Sequence, residues 1–292
     1  MTSQPPLYDC AIVGAGPAGL FAAIQCVRLG LSYTLFEQHR MGGQVWAANL
    51  IENAPGFPEG IRGPELVAKF EDHAKSYSIQ ITGTSVQNIS HSCNHFTLHS
   101  SKGEHRARTV IAATGLIPKH LGISGEDTLR GKHVYYYINP SEVTCTGSRV
   151  TIIGSGDAAF DQALNFARTS KHVTIIMKHD KPRCLPVLVQ RAHRIGIDTV
   201  SSFEATGLEK TADGVRIYGS HDMHIDTDIV IVCIGKNSST YFLDSISTDD
   251  TPGLFLAGDC HREKNRHIAI ACGDGIACAM EASRFIAHED NT

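Results

Sequence analysis

No two of the nine cysteines, at 10, 26, 93, 145, 184, 233, 260, 272 and 278, are spaced as C-x-x-C, and their number is odd. Free thiols in a reducing compartment are therefore expected rather than a disulfide framework. Cys10 and Cys233 lie in apolar, strand-like runs and read as packing residues. Long apolar runs are missing too. "DIVIVCIG" (228–235) is among the longest, far short of the ~18 residues that suggest a membrane helix. Basic excess is absent: the net charge is −4, which gives no electrostatic case for nucleic acid or an anionic membrane. The opening "MTSQPPLYD" has neither a basic n-region nor an apolar h-region. No signal peptide is expected, and the cytoplasm follows by default. What remains is an ordinary globular composition, 42% hydrophobic and 19% charged over 292 residues, enough for two domains with their own cores.

The first informative stretch is "YDCAIVGAGPAG" (8–19). An apolar strand runs into G-x-G-x-x-G, an amphipathic helix follows to about Leu29, and "LSYTLFE" (31–37) is a second strand ending in an acid. This is a βαβ unit with glycines at its first turn. Gly14 lets the chain turn tightly, Gly16 lets a pyrophosphate approach the backbone, and Gly19 lets helix and strand pack closely. The helix N-terminus directs N–H groups and positive dipole at the phosphates. Glu37 stands where a carboxylate accepts from ribose hydroxyls. With strand, helix and acid in place, the turn is read as a dinucleotide site.

A second unit begins at "RVTII" (149–153), turns at "GSGDAA" (154–159) and reaches a second strand at "HVTIIM" (172–177). Ala159 takes the third glycine position, which the pattern allows. Its turn residues are Gly154, Ser155, Gly156, Asp157 and Ala158. No acid closes its second strand. "MKHDKPR" follows instead, with Lys178, His179 and Arg183. A carboxylate would repel a 2′-phosphate and basic groups would hold one, so NADPH is expected over NADH. The alternative is that these cations are only solvated surface.

Between the turns, "GGQVWAANLIENAPGFPEGIRGPELVAKF" (42–70) begins as a Gly/Pro-rich loop and enters a helix near Pro64. "ARTVIAATG" (107–115) and "DTDIVIVCIG" (226–235) are strands ending in small-residue turns. "GLFLAGDC" (253–260) is a short strand ending in Gly-Asp, and "RHIAIACGDGIACAMEASRFIA" (266–287) a helix with small residues along it. The expected fold is α/β: two Rossmann-like three-layer dinucleotide-binding domains, the second inserted in the first. The expected boundaries are 1–115 and 244–292 for the first domain and 116–243 for the second.

Taken together, "GAGPAG", "GGQ" (42–44), "IENAPGFPEGIRGPELV", "VIAATG", "GSGDAA", "GLFLAGD" and "RHIAIACGDG" resemble the low-molecular-weight thioredoxin reductases over nearly the whole chain. The resemblance implies FAD in the first unit, NADPH in the second, a homodimer, and hinges near Ala113–Gly115 and Gly235–Ser239. It implies flavin contacts from Gln44 and Asn53, a ribitol contact from Asp259, and an isoalloxazine contact from the segment after Arg266, with His267 and Ile268. Pro17, Ala18, Gln38, Gly43 and Val86 are implied around the FAD, with Ala113, Thr114, Gly115 and Gly258. Ile234 and Gly235 are implied at the nicotinamide nucleotide. A helix N-terminus aimed at the flavin would stabilise the negative charge of its reduced form.

One feature of that family is missing. Its C-x-x-C would fall at Tyr137 and Pro140, and the motif reads Tyr-Ile-Asn-Pro. Thiol–disulfide exchange needs one thiolate to attack and a second thiol to resolve. Neither residue supplies one, so thioredoxin reductase activity by the family's own route is excluded. Tyr137 or Tyr136 is expected to cover the flavin where the cysteines would stand; the alternative is that the ring only fills vacated space. A related branch without the cysteines, the thioredoxin-reductase-like ferredoxin–NADP reductases, resembles "GKHVYYYINPSEVTCTGSRVTIIGSGDAAFDQALNFA" (131–167). That branch carries a C-terminal extension and more arginine in its phosphate-binding stretch. The chain sits between two types, with ferredoxin, flavodoxin or a thioredoxin-like protein as candidate partners.

The expected activity is hydride transfer from NADPH to FAD and onward to such an acceptor. It needs positioning more than an acid or base, so no catalytic side chain is assigned. Two alternatives stand beside it: a flavoprotein reduced by a donor other than NAD(P)H, and a non-catalytic flavin-binding protein. No metal is expected. His91, His95 and His99 would align on a helix, but "SHSCNHFTLHS" reads as a hairpin turning near Asn94. Cys260 and Cys272 are read as packing residues before reactive thiols.

Overall fold

A computed structural model describes residues 5–92, 95–220, 222–248 and 250–291 of the chain. The chain opens with β1 (Leu7–Val13), α1 (Pro17–Leu29) and β2 (Tyr33–Glu37). β1 is apolar on both faces because it runs in the middle of a sheet, parallel to β2 with Val13 opposite Phe36. α1 stops at Gly30, whose φ of 72° closes the helix in the left-handed conformation. After α2 (Gly63–Ser76), which carries Pro64 in its first turn as expected, come β3 (Thr82–Gly83), β4 (Val86–Ser92), β5 (His95–Ser100) and β6 (Gly103–Ala112).

β4 and β5 are antiparallel, with His91 opposite Phe96 and Ser92 opposite His95. The three histidines therefore lie on a hairpin rather than a helix; the expected turn at Asn94 lies outside the described residues. β6 pairs antiparallel with β5 through its first half and parallel with β1 through its second.

The chain then leaves through β7 (Leu116–Pro118) and the short α3 (Glu126–Leu129) to β8 (Val134–Tyr136), β9 (Arg149–Ile153), α4 (Asp157–Phe166), β10 (His172–Ile176), α5 (Pro186–Arg194) and β11 (Asp198–Val200). The antiparallel meander β12 (Ala205–Thr211), β13 (Gly214–Gly219) and β14 (His224–Thr227) precedes β15 (Ile229–Val232). A second sheet forms in the order β11-β10-β9-β15-β8, every pair parallel. Phe160, Ala163 and Phe166 of α4 pack on one face of it with Ile152 and Ile175. Leu208, Val215 and Ile217 of the meander pack on the other with Val134 and Val230. These are the three layers of the expected fold.

The chain returns through β16 (Lys236–Ser238), which pairs with β7, and ends with β17 (Leu254–Leu256) and α6 (Ile268–Glu289). β17 pairs parallel with β6, Leu256 opposite Ala112, so the last strand completes the first sheet. α6 lies on α1 at very close range: a Cβ on Gly275 would fall 2.0 Å from the Ala18 carbonyl oxygen. Small residues along α6 allow that approach.

The fold class is thus the expected one. Chain contacts divide it into 1–45, 52–117 and 237–292 as one unit, and 46–51 with 118–236 as the other. The crossings fall at 117/118 and 236/237 rather than the expected 115/116 and 243/244, and 46–51 is grouped with the second unit. Among the described residues no helix is long and apolar enough to cross a membrane.

Candidate dinucleotide sites

The first turn is built on steric necessity. Gly14 has φ 103°, and a Cβ there would meet the Ala113 carbonyl oxygen at 2.5 Å. A Cβ on Gly19 would fall 1.7 Å from the Gly14 oxygen. Gly16 differs: it caps α1 with no side-chain hydrogen bond, and a Cβ there would find nothing within 4 Å. The uncapped helix N-terminus of Pro17 and Ala18 thus faces open space, which is what a diphosphate requires. The Gly42–Gly43 loop comes alongside. The Gly42 N–H donates to the Ala15 carbonyl at 2.8 Å, and a Cβ on Gly43 would lie 3.5 Å from the Gly16 Cα.

Glu37 does more than end its strand. Its carboxylate accepts the N–H groups of Ala15 at 2.9 Å and His39 at 2.8 Å, so it ties the turn to β2. Gln38 beside it is exposed. Gln44 donates to the Leu116 carbonyl at 2.6 Å, and Thr114 donates to the Ser239 carbonyl. Gly115 takes φ 64° where β6 gives way to β7. Asn53 and His267 are 3.0 Å apart through Nδ2 and Nδ1, and His267 is the N-cap of α6, just before Ile268. Gly258 and Asp259 form a short 3₁₀ turn before α6, and Arg266 donates to the Arg262 carbonyl at 2.7 Å. Val86 is buried in the sheet core. Residues 42–45, 52–53, 113–115 and 258–268, remote in the chain, thus share one unit with the first turn.

The second turn repeats the geometry. Gly154 has φ 152°, and its Cβ would meet the Cys233 oxygen at 2.3 Å and the Ala159 Cβ at 3.1 Å. Gly156 caps α4 with no side-chain bond and faces open space. Ala158 follows in the first turn of α4. Asp157 accepts the Leu185 N–H at 2.8 Å, and Arg183 donates its N–H to the Ser155 carbonyl at 2.7 Å. The basic loop is therefore fastened to the turn, and the Arg183 side chain is exposed. His179 accepts the Ser202 N–H with its carbonyl. Lys178 is paired with Glu204 at 2.6 Å, both exposed. Ile234 is exposed and Gly235 takes φ 112°.

The three tyrosines have three different roles. Successive strand residues point to opposite faces. Tyr135 packs with the α4 side of the sheet and Tyr136 with the meander side. The Tyr136 hydroxyl donates to Glu126, which also accepts the N–H groups of Leu121 at 2.8 Å and Gly122 at 2.7 Å. Burial works against the Glu126 carboxylate, but these donors hold it below the usual range; burial and Glu126 push the phenol up to about 12. Tyr136 is therefore packed into its own unit, its hydroxyl held by Glu126. Replacing it by phenylalanine is expected to lower the melting stability by about 1–2 kcal/mol and to leave the flavin absorption spectrum in place. Tyr137 is the outlier, with φ 43° and the Lys236 ammonium 3.6 Å from its ring centroid. A non-glycine residue held there costs on the order of 1 kcal/mol.

Sequence reasoning also missed how 46–51 is held. Asn139 donates to the Trp46 carbonyl at 2.7 Å, and Gln162 and Asn165 to that of Ala47 at 2.8 and 3.3 Å. Asp161 accepts the Asn49 N–H at 2.9 Å. Burial pushes the Asp161 carboxyl up to about 6, against the pull of the Asn49 and Leu50 N–H groups and Lys236. A raised carboxyl binds its proton more tightly when folded, so its contribution favours the fold below ~4 and is lost as pH rises towards 6. Asp161→Asn is expected to gain on the natural protein by roughly 1–3 kcal/mol between pH 4 and 7; melting curves of the pair across that range read the difference.

None of the eight described cysteines is in a disulfide. Burial raises the thiols of Cys184, Cys233, Cys260, Cys272 and Cys278 above the ordinary value. That is the reverse of what a reactive thiol needs.

Two Rossmann-like units, each with a glycine turn open to a diphosphate, define the class: an oxidoreductase that handles two dinucleotides. The chain belongs to the pyridine nucleotide-disulphide oxidoreductase family, whose model matches residues 8–275. Within it the chain is a thioredoxin reductase-like flavoprotein. It is 29% identical to a thioredoxin reductase of Mycolicibacterium smegmatis, over 99% of this chain and 100% of that one. Among solved structures it resembles the thioredoxin reductase of T. acidophilum, with a TM-score of 0.86, 30% identity, and 95% and 98% of the two chains covered. That of Lactococcus lactis gives a TM-score of 0.89 at 26% identity, covering 96% and 99%. The cofactors of these relatives are FAD and NADPH, and the two turns fit them.

Proposed function

We propose that the chain is an FAD-dependent oxidoreductase that takes hydride from NADPH and passes electrons to an acceptor without a redox disulfide of its own. The observation that carries this is the pairing of two intact dinucleotide turns with Tyr137 and Pro140 where two cysteines would be needed. FAD at the first turn would supply a two-electron acceptor that can release electrons singly or in pairs. The chain's own residues would position it. The α1 N-terminus would face the diphosphate, Asp259 the ribitol, Gln44 and Asn53 the flavin region, and α6 would direct its N-terminal dipole at the ring. At the second turn Gly156 and the α4 N-terminus would hold the diphosphate, and Arg183, with Lys178 released from Glu204, a 2′-phosphate.

Tyr137, held in a strained conformation under Lys236, is the ring assigned to shield the flavin. The acceptor assigned is a small redox protein such as ferredoxin or flavodoxin; the relatives' names point instead to thioredoxin. A homodimer is the expected assembly. The Lys178–Glu204 pair supports a second reading, in which the nucleotide cation is engaged elsewhere and another donor reduces the flavin.

Anaerobic titration of the purified yellow protein with NADPH, and separately with NADH, tests both readings. Rapid bleaching by NADPH at concentrations where NADH is slow is the expected result. A flavin that dithionite bleaches and neither nucleotide does would overturn the first reading in favour of the second. Adding ferredoxin, flavodoxin or thioredoxin to the bleached protein then identifies the acceptor by which one restores the colour.

A further inference from the structure

The turn that carries Asp259 is short, closed by backbone bonds from the His261 N–H to the Gly258 carbonyl at 3.1 Å and from the Arg262 N–H to the Asp259 carbonyl at 3.3 Å. It runs from Gly258, at φ 73°, to an irregular stretch that ends at the N-cap of α6. The Asp274 carboxylate ties it to α6. Asp274 lies in the second turn of α6 with 17% of its side chain exposed. Its Oδ2 accepts the Gly258 N–H at 3.2 Å and Arg262 Nε at 2.7 Å, and its Oδ1 accepts Arg262 Nη2 at 2.6 Å. The guanidinium–carboxylate contact is bidentate, the arrangement that fixes angle as well as distance. Arg262 then passes the constraint on, its carbonyl accepting Arg266 Nε at 2.7 Å. The Arg262 guanidinium holds the Asp274 carboxyl below its ordinary value, so the pair stays charged at neutral pH.

The two groups that Asp274 holds bracket Asp259, one residue before it and three residues after. We infer that the Asp274–Arg262 pair is a positioning device that aims Asp259 at a bound ribityl chain, so that Asp274 governs dinucleotide affinity without touching the dinucleotide. This rests on the flavin reading of the first unit. Freed from Asp274, the turn would sample other angles, and Asp259 would have to be ordered at the moment of binding, which weakens affinity.

A thermodynamic cycle on the full-length protein tests it, with FAD as the probe. FAD dissociation constants are measured by flavin fluorescence for the natural protein, Asp274→Asn, Asp259→Ala and the double variant, and apoprotein melting is followed separately. Asp274→Asn is expected to weaken FAD about tenfold in the natural background. In the Asp259→Ala background it is expected to weaken FAD less than about twofold, because nothing is left to aim. An equal penalty in both backgrounds would make Asp274 a merely structural residue and overturn the inference alone. An unchanged affinity in Asp259→Ala would overturn the flavin assignment of Asp259, and the inference with it. If Asp274→Asn does not fold, Arg262→Lys takes its place in the cycle. It keeps the charge, loses the bidentate contact, and is read by the same two outcomes.

Discussion

Gly19→Ala is expected to yield a colourless and poorly stable protein, while Gly16→Ala yields a stable one that is equally colourless. The two glycines are three residues apart in one motif, yet they serve different ends. A methyl at position 19 would sit 1.7 Å from the Gly14 oxygen and 3.3 Å from the Ala113 Cβ. Backbone, not a flexible side chain, must move to admit it, and β1 is a central strand paired on both sides. A loss on the order of 3 kcal/mol or more follows. A methyl at position 16 meets nothing within 4 Å, and φ −69° is ordinary for alanine. Its stability cost is expected to stay within about 0.5 kcal/mol. The methyl would, however, stand in the open space before the α1 N-terminus, where the diphosphate must touch backbone. Apoprotein melting separates the two variants, and FAD binding unites them. A Gly16→Ala protein that retains flavin at full affinity would show that the first turn is not the diphosphate site.

That contrast explains why the turns were legible in the sequence. The strand–glycine–helix patterns around 14–19 and 154–159 are local, even though the clashes that fix Gly14 and Gly154 come from the remote Ala113 and Cys233. Hence the two βαβ units and the return of the last strand to the first sheet could be read in advance. What could not be read depends on distant partners. Glu37 is expected at a strand end, but its bracing of Ala15 appears only when β2 lies beside β1. Lys178 looks available until the loop bearing Glu204 folds back to it. The 46–51 segment has no motif; it is recognised through its carbonyls and N–H groups by Asn139, Asp161, Gln162 and Asn165. The tyrosines are a different case. Period-two alternation already forbids Tyr135 and Tyr136 from sharing a face, and the left-handed Tyr137 marks where the strand pattern ends.

A reductive titration is expected to take up two electrons per FAD and no more. Dithionite under anaerobic conditions, or NADPH if it donates, should finish bleaching at one equivalent. A partner disulfide within the chain would accept a further two electrons and move the end point to two equivalents. The arithmetic turns on thiol pairing, since exchange needs two sulfurs within reach and at least one as thiolate. Tyr137 and Pro140 provide neither, and Cys145, the nearest thiol along the chain, is buried with its sulfur engaged by the Pro140 carbonyl and the Thr169 hydroxyl. Cys10 and Cys26 are neighbours in the core, but both are fully buried, and the Cys26 thiol together with burial raises the Cys10 thiol well above its ordinary value. An end point at two equivalents would make this pair the first to test. If it were the second acceptor, Cys26→Ser would bring the end point back to one. Retention of two equivalents in that variant would require a different pair, and an end point at one in the natural protein leaves the flavin as the only centre from which electrons can depart.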